Sequence, residues 1–240
     1  MEFHINGTEG DISRYVFCPG SQSRARQIAD HFTDMRVISE ERGIVIYSGS
    51  FNGVFMTSCG TGMGGPATAI ATEELGHLGA DTFIRVGSCG VFQEGQQPGD
   101  VVIATGTIRL GGTGLSYLPV EYPAVPTFHV TRALVDAAAA LDLPVTLGVG
   151  IAGDGFYGVD SRNRFSEFFP GKPVSVEMAS DTLFLIGAVR GWRTGAIYTS
   201  DGTPEEIKPE WSRELFRKGI DHSIQIALAA VERLAREDAA

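Results

Sequence analysis

Short apolar runs rich in Val, Ile and Phe recur along the whole chain, and stretches of helical character fall between them. The runs are Tyr15–Cys18, Ile44–Tyr47, Val54–Ser58, Thr82–Val86, Val101–Thr105, Val145–Ile151 and Gly195–Thr199. Several end at Gly or Ser, as buried strands do where they give way to a turn. Helical patterns cover Ser23–Phe32, Gly65–Leu78, Val130–Leu141 and Ser212–Arg236. The last sets Phe216, Ile220, Ile224, Leu228 and Val231 near a 3.6-residue period. Strands alternating with helices predict an α/β fold: one domain over residues 1–240, with a central mixed, largely parallel sheet flanked by helices on both faces. The long Gly- and Pro-containing stretch Arg109–Phe128 reads as a functional loop or an oligomer contact.

Composition narrows the function. A net charge of −10 with few basic clusters argues against nucleic acid or an anionic membrane as partner. Cys18, Cys59 and Cys89 lie far apart, which fits a reducing compartment better than a disulfide framework or a zinc site. His4, His31, His77, His129 and His222 have no metal-ligand spacing. The N-terminal residues lack the basic and apolar regions of a secretory signal, so a cytoplasmic location is expected.

One charge stands out against this background. Thr82–Gly95 reads TFIRVGSCGVFQEG, with Arg85 inside an apolar run that breaks into Gly87-Ser88-Cys89-Gly90. Ligands of open α/β sheets bind beyond the carboxyl ends of strands. A guanidinium there suits bidentate binding of phosphate. The local sequence equally allows Arg85 to pair with a buried carboxylate. Cys18-Pro19-Gly20-Ser21-Gln22-Ser23-Arg24 adds a glycine turn at a helix N-terminus, a place that attracts anions. Arg42 precedes another strand. GTGMGG also follows a strand, but no acidic residue closes a second strand about 20 residues on, as dinucleotide binding requires.

PG…R near the N-terminus, RG before a strand, GTGMGGP opening a helix, IRVGSCG, VEM and SDG occur in this order. Together they resemble the nucleoside phosphorylase family of hexameric purine nucleoside phosphorylases and uridine phosphorylases, over nearly the whole chain. The resemblance implies phosphorolysis of a nucleoside, most directly a purine nucleoside, with uridine as the alternative. It implies no cofactor, inorganic phosphate as co-substrate, and a homo-oligomer, a hexamer built as a trimer of dimers, with sites shared across a dimer interface.

The resemblance also assigns roles. Gly20, Arg24, Arg85 and Ser88 hold phosphate, with Arg42 reaching in from a neighbouring subunit. His4 is lent across the interface to the sugar 5′-hydroxyl, and Met63 and Met178 line the sugar. Phe156 and Tyr157 lie beside the base with Cys89, Gly90 and Arg162. Asp201 protonates or hydrogen-bonds N7 of a departing purine, and Arg213 or Arg217 is its basic partner. For Met63, Met178 and Tyr157 core packing is the plainer alternative; for Asp201 it is an Asp-Gly turn.

Two departures accompany the likeness. Family members read V-E-M-E, the second glutamate gripping the ribose 2′- and 3′-hydroxyls; here Val176-Glu177-Met178 is followed by Ala179. Ser180 or Asp181 would have to compensate, or else the enzyme is weak on ordinary ribonucleosides, its substrate is altered at the 2′ or 3′ position, or the protein only binds nucleoside. Ser21 stands where the family has Asp. Asp160 stands where the pyrimidine enzymes carry the glutamine that reads uracil, while Arg162 is retained. A hydrolase of the same fold would use water and would need no arginine cluster.

Overall fold

The computed structural model describes residues 2–158, 161–203 and 210–240; the side chains of 161–163, 210 and 211 also lie outside the description. One nine-stranded mixed sheet organises the chain. The strands are β1 (Tyr15–Phe17), β2 (Thr33–Ser39), β3 (Val45–Phe51), β4 (Val54–Gly60), β5 (Thr82–Val91), β6 (Val101–Arg109), β7 (Val145–Ala152), β8 (Ser175–Glu177) and β9 (Arg193–Ser200). The helices are α1 (Gln22–Ala29), α2 (Gly64–His77), α3 (Phe128–Ala140), α4 (Ser161–Ser166), α5 (Ser180–Arg190) and α6 (Glu210–Asp238).

The sheet runs β2-β3-β4-β1-β5-β8-β7-β6-β9, and β9 returns to pair with β5. Strands β5, β8, β7, β6 and β9 therefore close into a ring, with β1 to β4 extending from it as an open wing. Parallel ladders join β1 to β4 and to β5, β5 to β9, β6 to β7 and β7 to β8; the other pairs are antiparallel. Strand β5 is the hub, hydrogen-bonded to β1, β9 and, at its far end, β8.

Helices cover both faces. On one side Ala25 and Ile28 of α1, Val130 and Leu134 of α3, and Ile224 and Leu228 of α6 pack into one core. On the other, Leu75 of α2 and Leu183, Phe184 and Leu185 of α5 form a second. The expected α/β architecture is the one observed. No helix among the described residues is long and apolar enough to cross a membrane.

Two local expectations change. Strand β5 does not stop at Val86 but continues through Gly87-Ser88-Cys89-Gly90 to Val91. Its glycines do not turn the chain. Gly87 is small because the Tyr198 ring stands 3.0 Å from where its Cβ would be. Strands β2 and β8 were not anticipated. In β2 most residues are exposed and its pairing with β3 slips twice, so no apolar alternation survives. The stretch Arg109–Phe128 is ordered from its own first residue: the Arg109 guanidinium donates to the carbonyls of Gly114, Leu118, Pro119 and Tyr122.

Candidate active site

The inner part of the site forms where β1, β5, β8 and β9 end together. After β1 the chain turns at Gly20, and Ser21 caps α1, its Oγ accepting the Arg24 N–H at 3.2 Å. Ser21 thus fills the capping role that an aspartate at this position would fill. The cap aims Arg24, in the first turn of α1, into the protein. Its Nη2 donates to Ser88 Oγ at 3.0 Å and its Nη1 to the Val86 carbonyl at 3.4 Å; Nε is buried with no partner.

Arg85 is buried on β5. Its Nε donates to Glu177 Oε2 at 2.7 Å, while Nη1 is buried without a partner. That Nη1 lies 3.9 Å from where a Cβ on Gly20 would sit, so it faces the glycine turn. The two readings of Arg85 are therefore both realised: one edge of the guanidinium is tied to a carboxylate and the other is left open. Glu177 is held as an anion. Burial pushes its carboxyl up, but Arg85, the Ser180 hydroxyl and the N–H groups of Ser180 and Ala179 together bring it below the usual range.

Arg24 shows the cost of this arrangement. Burial, and next the neighbouring Arg85 charge, bring its guanidinium down to about 10. Two buried cations side by side, Arg85 paired with Glu177 and Arg24 within reach of the Asp201 charge, leave two unpaired buried nitrogens. Unpaired guanidinium nitrogens out of water are the kind of donors that an oxyanion matches.

Asp201 follows β9. Its N–H donates to the Cys89 carbonyl at 2.9 Å, and its half-buried carboxylate is near enough to raise the pKa values of both Arg24 and Cys89. Cys89 itself is buried on β5, and Gly90 pairs with Val176 of β8. Met178, half-buried, follows directly on Glu177. Gly20, Arg24, Arg85, Ser88, Cys89, Gly90, Met178 and Asp201 are thus brought to one end of the sheet.

The remaining candidates lie further out. Met63, at the start of α2, is exposed, as are Phe156 and Tyr157 on the loop after β7, whose rings meet edge to face at 4.9 Å. Exposure overturns the core-packing alternative for Met63 and Tyr157. His4 and Arg42 do not join Arg24 and Arg85 within one chain. They line a shallow depression of about 280 Å³ with Gln22, Ile44, Gly62 and Ile70. The Arg162 side chain and all of Asp160 lie outside the described residues. Arg213 and Arg217 are exposed on α6.

Ala179 is buried; its N–H donates to Glu177 and its carbonyl accepts the Leu183 N–H at 3.1 Å. Neither neighbour replaces the absent carboxylate. The Ser180 hydroxyl donates to Glu177 at 2.7 Å. Asp181 faces away: Oδ1 accepts the Thr182 N–H at 2.6 Å, and Oδ2, buried and unpartnered, lies 2.9 Å from where a Cβ on Gly111 would be. Asp154 Oδ1 is 3.1 Å from the same point. Burial, with Glu177 and Asp154 adding to it, pushes Asp181 up to about 6. Two pairings escaped the sequence reading: Glu177 with Arg85, and Glu74 with His4. Their only signal was an acidic residue within an apolar stretch.

A phosphorylase superfamily profile matches residues 14–236, nearly the whole chain. The chain belongs to the phosphorylase superfamily. Among curated superfamily members, the uridine phosphorylase of Treponema pallidum is 38% identical over 247 residues, spanning 99% of this chain and 95% of that protein. A guanosine phosphorylase of Halorubrum lacusprofundi is 34% identical over 241 residues, spanning 96% and 98%. Among solved structures, the Vibrio fischeri uridine phosphorylase complexed with 6-hydroxy-1-naphthoic acid superposes with a TM-score of 0.89. It is 25% identical, and the match covers 94% of each chain.

Proposed function

We propose that this phosphorylase superfamily member is a pentosyltransferase that cleaves the N-glycosidic bond of a nucleoside with inorganic phosphate, giving free base and pentose 1-phosphate. The observation that carries the reading is the pair of buried guanidinium groups, Arg24 and Arg85, each with an unpartnered nitrogen. The pair binds and desolvates a phosphate whose oxygen attacks the anomeric carbon. As that C–O bond forms, the C–N bond breaks, and the base leaves with the bonding electrons and acquires a proton. A hydrolase has no use for two cations placed this way. Arg42 and His4, on the adjoining face, serve the site of a second copy in a homo-oligomer, by likeness a hexamer.

Uridine is the nucleoside to test first, since two of the three relatives named above are uridine phosphorylases. One observation favours a second reading. Asp201 beside Cys89 is the side chain assigned to protonate or hydrogen-bond a departing purine, and the guanosine phosphorylase relative agrees with it. Ala179 in place of a gripping carboxylate points to a substrate specialised at the sugar 2′ or 3′ position.

Base release from uridine, guanosine and their 2′-deoxy counterparts, with and without phosphate, tests all three points. Cleavage is expected only with phosphate, and the deoxynucleosides are expected to react about as fast as the ribonucleosides. Asp201→Asn is expected to lose guanosine cleavage and keep uridine cleavage. Cleavage at equal rates in phosphate-free buffer would sink the phosphorolysis reading.

A further inference from the structure

Glu74 lies on α2 in a helical row with Ala67 and Ile70, both of which line the depression shared by His4 and Arg42. It is a buried carboxylate outside the inner site. Three donors converge on it from the N-terminal arm. The N–H groups of His4 and Ile5 each donate to Oε2 at 3.0 Å, and His4 Nδ1 lies 2.6 Å from Oε1. Burial pushes the Glu74 carboxyl up, but the His4 ring and these N–H groups outweigh it and hold the group below the usual range. An ionised carboxylate only accepts. The proton on this side of the ring is therefore on Nδ1, and in the neutral ring Nε2 is left as a free acceptor. The His4 side chain remains about one-third exposed on the face carrying Arg42, and Phe3 beside it is almost fully exposed. The arm is thus pinned at its backbone while its ring and its aromatic neighbour point outward.

We propose that Glu74 is a positioning residue that fixes the tautomer and direction of His4, so that Nε2 is presented as an acceptor to the sugar hydroxyl of a nucleoside bound in the neighbouring copy. This rests on the phosphorolysis reading and on the role proposed above for His4. Among the described residues the arm's other side-chain tethers, His77 Nδ1 to Glu2 at 3.2 Å, the Asn6 N–H to Ser39 Oγ at 3.0 Å and Asn6 Nδ2 to Glu41 at 3.3 Å, do not involve the His4 ring.

The test uses the full chain with a nucleoside it cleaves and the 5′-deoxy form of that nucleoside, comparing wild type, Glu74→Gln, His4→Ala and the double variant. Glu74→Gln keeps one acceptor for the arm but offers the ring a donor, which shifts the proton to Nε2. His4→Ala is expected to lose roughly tenfold in kcat/KM on the nucleoside, chiefly through KM, and almost nothing on the 5′-deoxy form. Glu74→Gln is expected to show the same split, and the double variant is expected to be no worse than His4→Ala. Equal losses on both substrates, or losses that add in full, would reduce Glu74 to a structural anchor. Nitrogen NMR of histidine-labelled wild type, which does not depend on any variant folding, should show His4 protonated at Nδ1; an Nε2–H tautomer overturns the proposal. An active wild type whose His4→Ala variant loses nothing also overturns it, while leaving phosphate-dependent cleavage intact. A wild type that releases no base with phosphate from any nucleoside refutes the function proposed above.

Discussion

At the inner end of the site Arg24, Arg85 and Glu177 are 7%, 6% and 6% exposed; at the outer end Met63, Phe156 and Tyr157 are 83%, 72% and 94% exposed. Arg85 lies within β5, Glu177 ends β8 and Arg24 is in the first turn of α1; the Arg85–Glu177 ion pair, backbone donors to Glu177 and the bonds from Arg24 to Val86 and Ser88 fix them. The outer ones sit at a helix start and on a loop. The contrast separates two tasks. Binding a small oxyanion requires charge held out of water in one geometry, and the fold supplies it through buried partners. Receiving a larger, partly apolar substrate requires surface that is covered only when the substrate, or a second copy, arrives.

Breaking the inner end should have the largest effect. Arg85→Met leaves Glu177 buried without its cation, and a loss of about 3–5 kcal/mol in urea unfolding is expected. Adding Glu177→Gln should restore most of that stability and none of the activity. If the double variant is as unstable as the single one, the ion pair is not what holds this end together.

A smaller effect comes from Asp181, four residues from Glu177 and its opposite in environment. Its folded-state value, raised from 3.8 to about 6, means the native protein binds the proton more tightly than the unfolded chain. The associated stability is fully present below the unfolded value and is lost as pH rises through about 6. With 1.36 kcal/mol per unit, the loss is about 3 kcal/mol. Asp181→Asn should therefore be more stable than wild type at pH 7.5 and nearly equal to it at pH 3.5, measured by denaturant titration at both. A variant difference that does not vary with pH would contradict this account.

The least effect on the fold is expected at the outer end. Phe156→Ala should change stability by no more than about 0.5 kcal/mol. It should raise the nucleoside KM up to about tenfold, the worth of one aromatic contact, with the phosphate KM unchanged. A stability loss comparable to that of Arg85→Met would abolish the distinction between the two ends.

The same contrast explains what could be read from the sequence. Arg85 was visible because a permanent charge interrupts an apolar run, and Arg24 because a glycine turn precedes it. The site's other half is long-range. Glu177 meets Arg85 across 92 positions and Glu74 meets His4 across 70, and no local pattern announces either pairing. In the fold, the buried central strands carried a clear signal. Strand β2 did not, being mostly exposed, and β8 is only three residues long. The continuation of β5 was hidden because Gly87 and Gly90 read as punctuation, although here Gly87 makes room for the Tyr198 ring and Gly90 pairs with Val176 of β8.

That continuation has a mechanical consequence. Arg85 and Ser88 are borne by the strand with the most laddered neighbours, so the proposed anion niche cannot breathe without prising apart the centre of the molecule. Whatever motion accompanies turnover must be executed by the periphery, against a floor that stays still.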